Sequence, residues 1–162
     1  MNTSVYEFKF TAQVVIDIHL LLNLYRHHLT LETPNNNSET LNYPDRHIML
    51  RAIETVMYTR GLTTVIGRYC LAGKLSDSKL IVRLVPHVWF THHAYIIDVF
   101  PVRGVMGVTL PVLFEGNNQV QTFIPSSETY PTGLSKEDRA SCDAKVESLS
   151  TLFEKLLKQV PS

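Results

Sequence analysis

The densest β-forming stretch of the chain, residues 62 to 100, leaves little freedom in how it folds. "LTTVIGRYCLAGKL", "LIVRLVPHVWF" and "AYIIDVF" follow one another closely, each crowded with β-branched and aromatic residues. The polar "SDSK" makes a turn between the first two. Connections this short return a strand antiparallel to its neighbour, because a parallel crossover takes roughly a dozen residues or more. An antiparallel ribbon is therefore the centre of the fold.

Helical segments bracket it. Near the amino end "VYEFKF" alternates and predicts a short strand. A helix from about Thr11 to Leu29 follows, with Val14, Ile18, Leu21, Leu22 and Tyr25 at helical spacing. "TLETPNNNSETLNYPD" is polar, holds Pro34 and Pro44, and reads as a long loop. Asp45 then N-caps a second helix, "RHIMLRAIETVMYTR", which Gly61 ends in the left-handed conformation. Residues 104 to 134 are broken by prolines and glycines and hold two strand-like pieces, "VTLPVLF" and "VQTFI". A last helix spans about 135–160, with Ser135 and Asp138 placed as a capping box. In it Cys142, Val146, Leu149, Phe153, Leu156 and Val160 recur at spacings of four and three, and Leu152 and Leu157 widen the stripe. Such a stripe docks on its own core, or else meets a partner helix or forms a homodimer seam. With no internal repeat and no linker, the expectation is one domain over 1–162, of α+β class, with helices packed on an antiparallel sheet.

Composition narrows the function classes. Apolar residues make up 44% and charged residues 19% of the 162, an ordinary globular balance, and the formal net charge is zero. No global field draws the chain to nucleic acid or to an anionic membrane, so neither is expected as a partner; a protein or peptide partner remains open. The most apolar run, "VVIDIHLLLNL", is interrupted by Asp17 and His19 and is too short to span a bilayer. "MNTSVYEFKF" lacks the basic and apolar regions of a signal peptide. Cys70 and Cys142 stand far apart without a CxxC, which suits a reducing, cytoplasmic setting. The seven histidines show no HExxH or His-x3-His spacing, and no P-loop or GxGxxG is present. Neither a metal nor a cofactor is expected.

The stretch that reads most like chemistry is "HVWFTHHAYIID", residues 87 to 98. A two-residue turn at His92-His93 pairs Thr91 with Ala94, Trp89 with Ile96 and His87 with Asp98. Opposed residues share a face, so His87 and Asp98 become neighbours with Trp89 beside them. A carboxylate next to an imidazole orients it and favours its charged form. The same pair also serves simply to satisfy a half-buried histidine. Cys70, if "LSDSKL" turns near Asp77 and Ser78, falls opposite Val85 to His87. It sits within a strand, with no helix dipole to lower its pKa, the setting of an inert core thiol.

This hairpin, "HxW" followed by a turn and "IID", resembles the histidine–aspartate hairpin of transglutaminase-like cysteine enzymes, part of the wider papain-like group. The helix ending "YTRG" and the strand ending at Gly67 are similar to the same family, so the likeness runs over about 45–101. It implies a papain-like core in which His87 is the general base and Asp98 orients it, for cleavage or exchange of amide bonds through a thioester. The family's nucleophile begins the helix, near Arg46 here, where "LNYPDRHIML" has no cysteine, serine or threonine. The leading expectation is a divergent, inactive domain that binds or regulates. The enzyme alternative is a thiol acyltransferase or peptidase using Cys70 with His87 and Asp98. A structural or assembly protein is the third.

Overall fold

A computed structural model describes residues 3–32, 42–74, 80–101, 112–115 and 122–160. Helix α1 runs Thr3–Glu32 and α2 runs Tyr43–Val56, followed by a 3-10 turn at Tyr58–Arg60. Strands β1 (Thr63–Lys74), β2 (Leu80–His92), β3 (Tyr95–Asp98), β4 (Val112–Glu115) and β5 (Phe123–Pro125) precede the last helix, α3 (Lys136–Lys158). The strands form one antiparallel sheet in the order β4-β3-β2-β1-β5. The expected α+β class, helices packed on an antiparallel sheet, is what the chain adopts.

Alternate residues along the strands separate two faces. Ile66, Val88, Phe90 and Ile97 turn toward the helices, where they meet Val14, Ile18 and Leu21 of α1, Met49, Leu50 and Ile53 of α2, and Phe153 and Leu156 of α3. On the other face Trp89, Ile96 and Phe123 make a second cluster, with Val65 and Tyr69 packed against it. The α3 stripe lies against its own domain: Cys142, Val146, Phe153 and Leu156 are buried, and Phe153 meets the ring of Tyr25 edge-on at 5.3 Å. Leu149 is only partly buried. Ser135 caps α3 as expected, its hydroxyl accepting from Asp138 N–H at 3.1 Å.

Three local readings need correction. Residues 5 to 10, expected as a strand, belong to α1. Six alternating residues carry a weak signal, and no glycine or proline separates them from the strong helical pattern that follows, so the helix continues through them. Phe8 and Phe10 then pack on the hairpin tip, against Tyr95 at 6.1 Å and His92 at 5.1 Å between ring centroids. The cap of α2 is Asn42 rather than Asp45: the Asn42 side chain accepts from the Asp45 N–H at 2.9 Å, and Pro44 sits inside the first turn, where its missing N–H costs nothing. The α-helix closes at Val56, one short turn before Gly61, whose φ of +77° does end the 3-10 turn as glycine allows. Most of the expected long loop, residues 33–41, and the "SDSK" turn lie outside the described residues.

Candidate functional site

The hairpin brings His87 and Asp98 together. His87 Nε2–H donates to Asp98 Oδ1 at 2.8 Å, and both side chains are almost wholly buried. Aromatic rings enclose the imidazole: Trp89 stacks at 6.0 Å, and Tyr69 and Phe123 stand 5.6 and 6.1 Å away. The contact forms by a different register from the one expected. Phe90 pairs with Ile97, Thr91 with Ile96 and His92 with Tyr95, so the turn is His93-Ala94. His93 takes φ +53°, a conformation in which histidine is several-fold enriched among non-glycine residues. Each partner sum moves by two, which preserves face parity, so His87 meets Asp98 along a diagonal instead of directly across.

The candidate thiol, Cys70, is not beside this pair. Cys70 is opposite Leu84, not Val85 to His87, while His87 is opposite Gly67. Adjacent strand positions alternate faces, so Cys70 projects from the face opposite to His87. The start of α2, where the resemblance puts the family's nucleophile, is also away from His87. The helix packs on the Ile66 and Val88 face, and the Arg46 guanidinium lies 5.8 Å from the Phe100 ring centroid. The histidine–aspartate pair is thus turned away from the helix layer. His92, expected in the turn, instead ends β2 and is buried, with Nε2–H donating to the Arg60 carbonyl at 2.8 Å and Nδ1 accepting from the Thr11 hydroxyl at 2.7 Å. Those partners fix its neutral tautomer and join α1, the 3-10 turn and the hairpin.

A second constellation on the helix side had no signal in the reading of motifs. His47, 1% exposed on α2, faces Cys142 of α3, whose thiol donates to Nδ1 across 3.8 Å. One turn along α2, Arg51 donates to Asp143 at 2.7 Å. The Tyr130 hydroxyl lies 2.9 and 2.8 Å from the two oxygens of the same carboxylate. The Arg51 and Arg139 guanidiniums lie 5.4 and 5.3 Å from the Tyr130 ring centroid. Burial, helped by the Arg51 charge, lowers the His47 pKa to about 4, and burial raises that of the Cys142 thiol. The pair is therefore neutral thiol and neutral imidazole, without the thiolate that acyl transfer needs. His47, Arg51 and Glu54 of α2 line a cleft of about 410 Å³ with Thr64, Ile66 and residues 128–130. The i, i+4 spacing of His47 and Arg51 was visible in sequence, but nothing there showed α3 crossing beside them.

Among the described residues no three His, Cys, Asp or Glu side chains are grouped to hold a metal ion. None of the described helices is long and apolar enough to cross a membrane. No protein-family model, curated protein or solved structure matches the chain.

The buried histidines make stability acid-sensitive. His47 titrates near 4 when folded and near 6.5 when unfolded, so the unfolded chain binds more protons between those values. His92, lowered chiefly by burial, acts in the same direction. Stability should hold above pH 6.5, fall by about 2–3 kcal/mol toward pH 4 on account of His47, and then level off for that group. Urea midpoints against pH check this. His47→Gln should flatten the acid limb, and an unchanged limb in that variant would place the loss elsewhere.

Proposed function

We propose that the chain is a catalytically inactive binding or regulatory domain, built around a transglutaminase-like histidine–aspartate hairpin. The observation that carries this reading is the placement of His87 and Asp98. They are sealed among aromatic rings on the sheet face away from α2, with Cys70 projecting from the opposite face. A histidine acts as general base only within hydrogen-bond reach of the proton it takes, directly or through one water. In this position the pair works as a clamp, tying β2 to β3 beneath Trp89. The open cleft beside α2, with its charged rim of Arg51, Glu54 and Glu128, is the part of the molecule suited to contact a ligand.

Iodoacetamide labelling at neutral pH, followed residue by residue, tests the inactive reading. Cys70 should alkylate no faster than an ordinary exposed thiol, and Cys142 more slowly because it is 7% exposed. Rapid alkylation of Cys70 that disappears in a His87→Ala variant would restore the acyltransferase or peptidase.

A further inference from the structure

The amino-terminal turns of α1 rest on a small part of the molecule. Among the described residues, the ring and hydrogen-bond contacts of Phe8, Phe10 and Thr11 go to the hairpin tip and to Arg60. Phe8 meets Tyr95 edge-on at 6.1 Å, and Phe10 lies 5.1 Å from His92 and 6.0 Å from His93 between ring centroids. The Arg60 guanidinium is 5.5 Å from the Phe10 centroid and is held by Asp17 of α1 at 2.6 Å. Thr11, wholly buried, donates its hydroxyl to His92 Nδ1 at 2.7 Å. Val14 is the first residue of α1 to enter the main core.

His92 is the group on which these contacts converge, and it is 1% exposed. Its neutral ring satisfies both neighbours, with Nε2–H donating to the Arg60 carbonyl and Nδ1 accepting from Thr11. A proton on Nδ1 reverses that second bond. The Thr11 hydroxyl can turn to accept instead, so the cost is that of the charge rather than of a lost contact. Burial opposes the charge most, and His93 and the Arg60 guanidinium oppose it further. The other charged groups on the elements packed here are Glu7, Lys9 and Asp17 of α1 and Glu115 of β4. Glu7 and Lys9 are exposed, Asp17 is engaged with Arg60, and Glu115 stands opposite Tyr95, a strand beyond His92.

Water reaches the imidazolium when the helix end swings off the tip. That movement is local. Phe8 and Phe10 are already 49% and 42% exposed, so it uncovers far less apolar surface than parting α1 from the core at Val14, Ile18 and Leu21. A helix end without tertiary contacts is marginal in water, so the freed turns also fray.

We propose that His92 is an acid-released latch, whose protonation frees the first turns of α1, through Thr11, from the hairpin tip. Release bares the tip at Tyr95 and His92 together with the aromatic rings that covered it. The latch is independent of whether the domain binds or catalyses, since it uses neither the cleft beside α2 nor the His87–Asp98 pair.

Native-state hydrogen exchange of the full chain, corrected for the intrinsic rate at each pH, reads the latch. Between about pH 7.5 and about pH 5, protection from Phe8 to Gln13 should fall at least about tenfold, which corresponds to one pKa unit between docked and freed states. The fall should level off where the His92 ring titrates by NMR, and His47→Gln should leave it unchanged. His92→Gln should remove the pH dependence, whether that variant docks the helix end or leaves it free. Small additions of urea should not speed exchange at Phe10 and Thr11, while they should speed it at Leu50 and Phe153, because global unfolding exposes much more surface. Protection that ignores pH, follows the titration of another histidine, or keeps its pH dependence in His92→Gln would overturn the latch. So would urea sensitivity at Phe10 equal to that at Leu50.

Discussion

An Asp98→Ala variant should lose about 3–5 kcal/mol of stability, the range expected when one partner of a buried ionisable pair is removed. The carboxylate accepts from His87 at 2.8 Å with both side chains about 1% exposed. Its loss leaves the buried imidazole N–H among Trp89, Tyr69 and Phe123 without the acceptor it has in the folded chain. Replacing both residues, His87→Leu with Asp98→Leu, should cost clearly less than the two single changes added together. No buried polar group is then left without a partner. A double-mutant cycle from urea midpoints measures the difference, expected to be on the order of 2 kcal/mol for residues in direct contact. Additive single effects would mean that the pair does not act as a clamp.

Gly67→Ala should be nearly as damaging, about 3 kcal/mol or more, at the upper end of what an overpacked core position costs. Gly67 has ordinary extended geometry, so the need for glycine comes from close approach and not from φ. A Cβ at this position would collide with the Ile124 carbonyl oxygen of β5 and stand 2.6 Å from Cη2 of Trp89. One obstacle is backbone and the other is a ring 2% exposed, so neither yields cheaply. Relief requires β5 to leave β1, which breaks the Cys70 N–H bond to Thr122 O at 2.8 Å and the Ser126 N–H bond to Ile66 O at 2.9 Å. Hydrogen exchange should accelerate at Cys70 and Ser126 in the variant while Leu50 and Ile53 in α2 keep their protection. Unchanged exchange at Cys70 would show that β5 tolerates the extra carbon.

The histidine–aspartate contact is legible in the sequence. It survived a wrong register because the error shifted every pairing sum by an even number. Had the turn moved the sum by one, His87 and Asp98 would have landed on opposite faces. The thiol argument had no such protection. Gly67 stands opposite His87 and Cys70 opposite Leu84, so three residues along β1 set the thiol on the other face. Hydrophobic pattern placed α1 and α3, since Val14, Ile18 and Phe153 belong to stripes that only burial explains, while α2 was marked by its end signals. Helix ends were less secure, because Asn42 and Asp45 are equally good capping residues. The choice between them depends on where the chain enters the helix.

The sequence by itself determined the α+β class, the antiparallel ribbon, the capped final helix and the proximity of His87 to Asp98. These follow from local periodicity, short connections and turn chemistry, which act over a few residues. Only the tertiary structure decided which face of the sheet the helices cover. That choice turned the histidine–aspartate pair away from α2, brought His47 to Cys142 across 95 positions, and left Leu80, Val82 and Leu84 uncovered. Both faces of β1 and β2 carry apolar residues, so alternation could not say which would meet the helices. The long-range packing of α1, α2 and α3 settled it, through contacts that no spacing along the chain records.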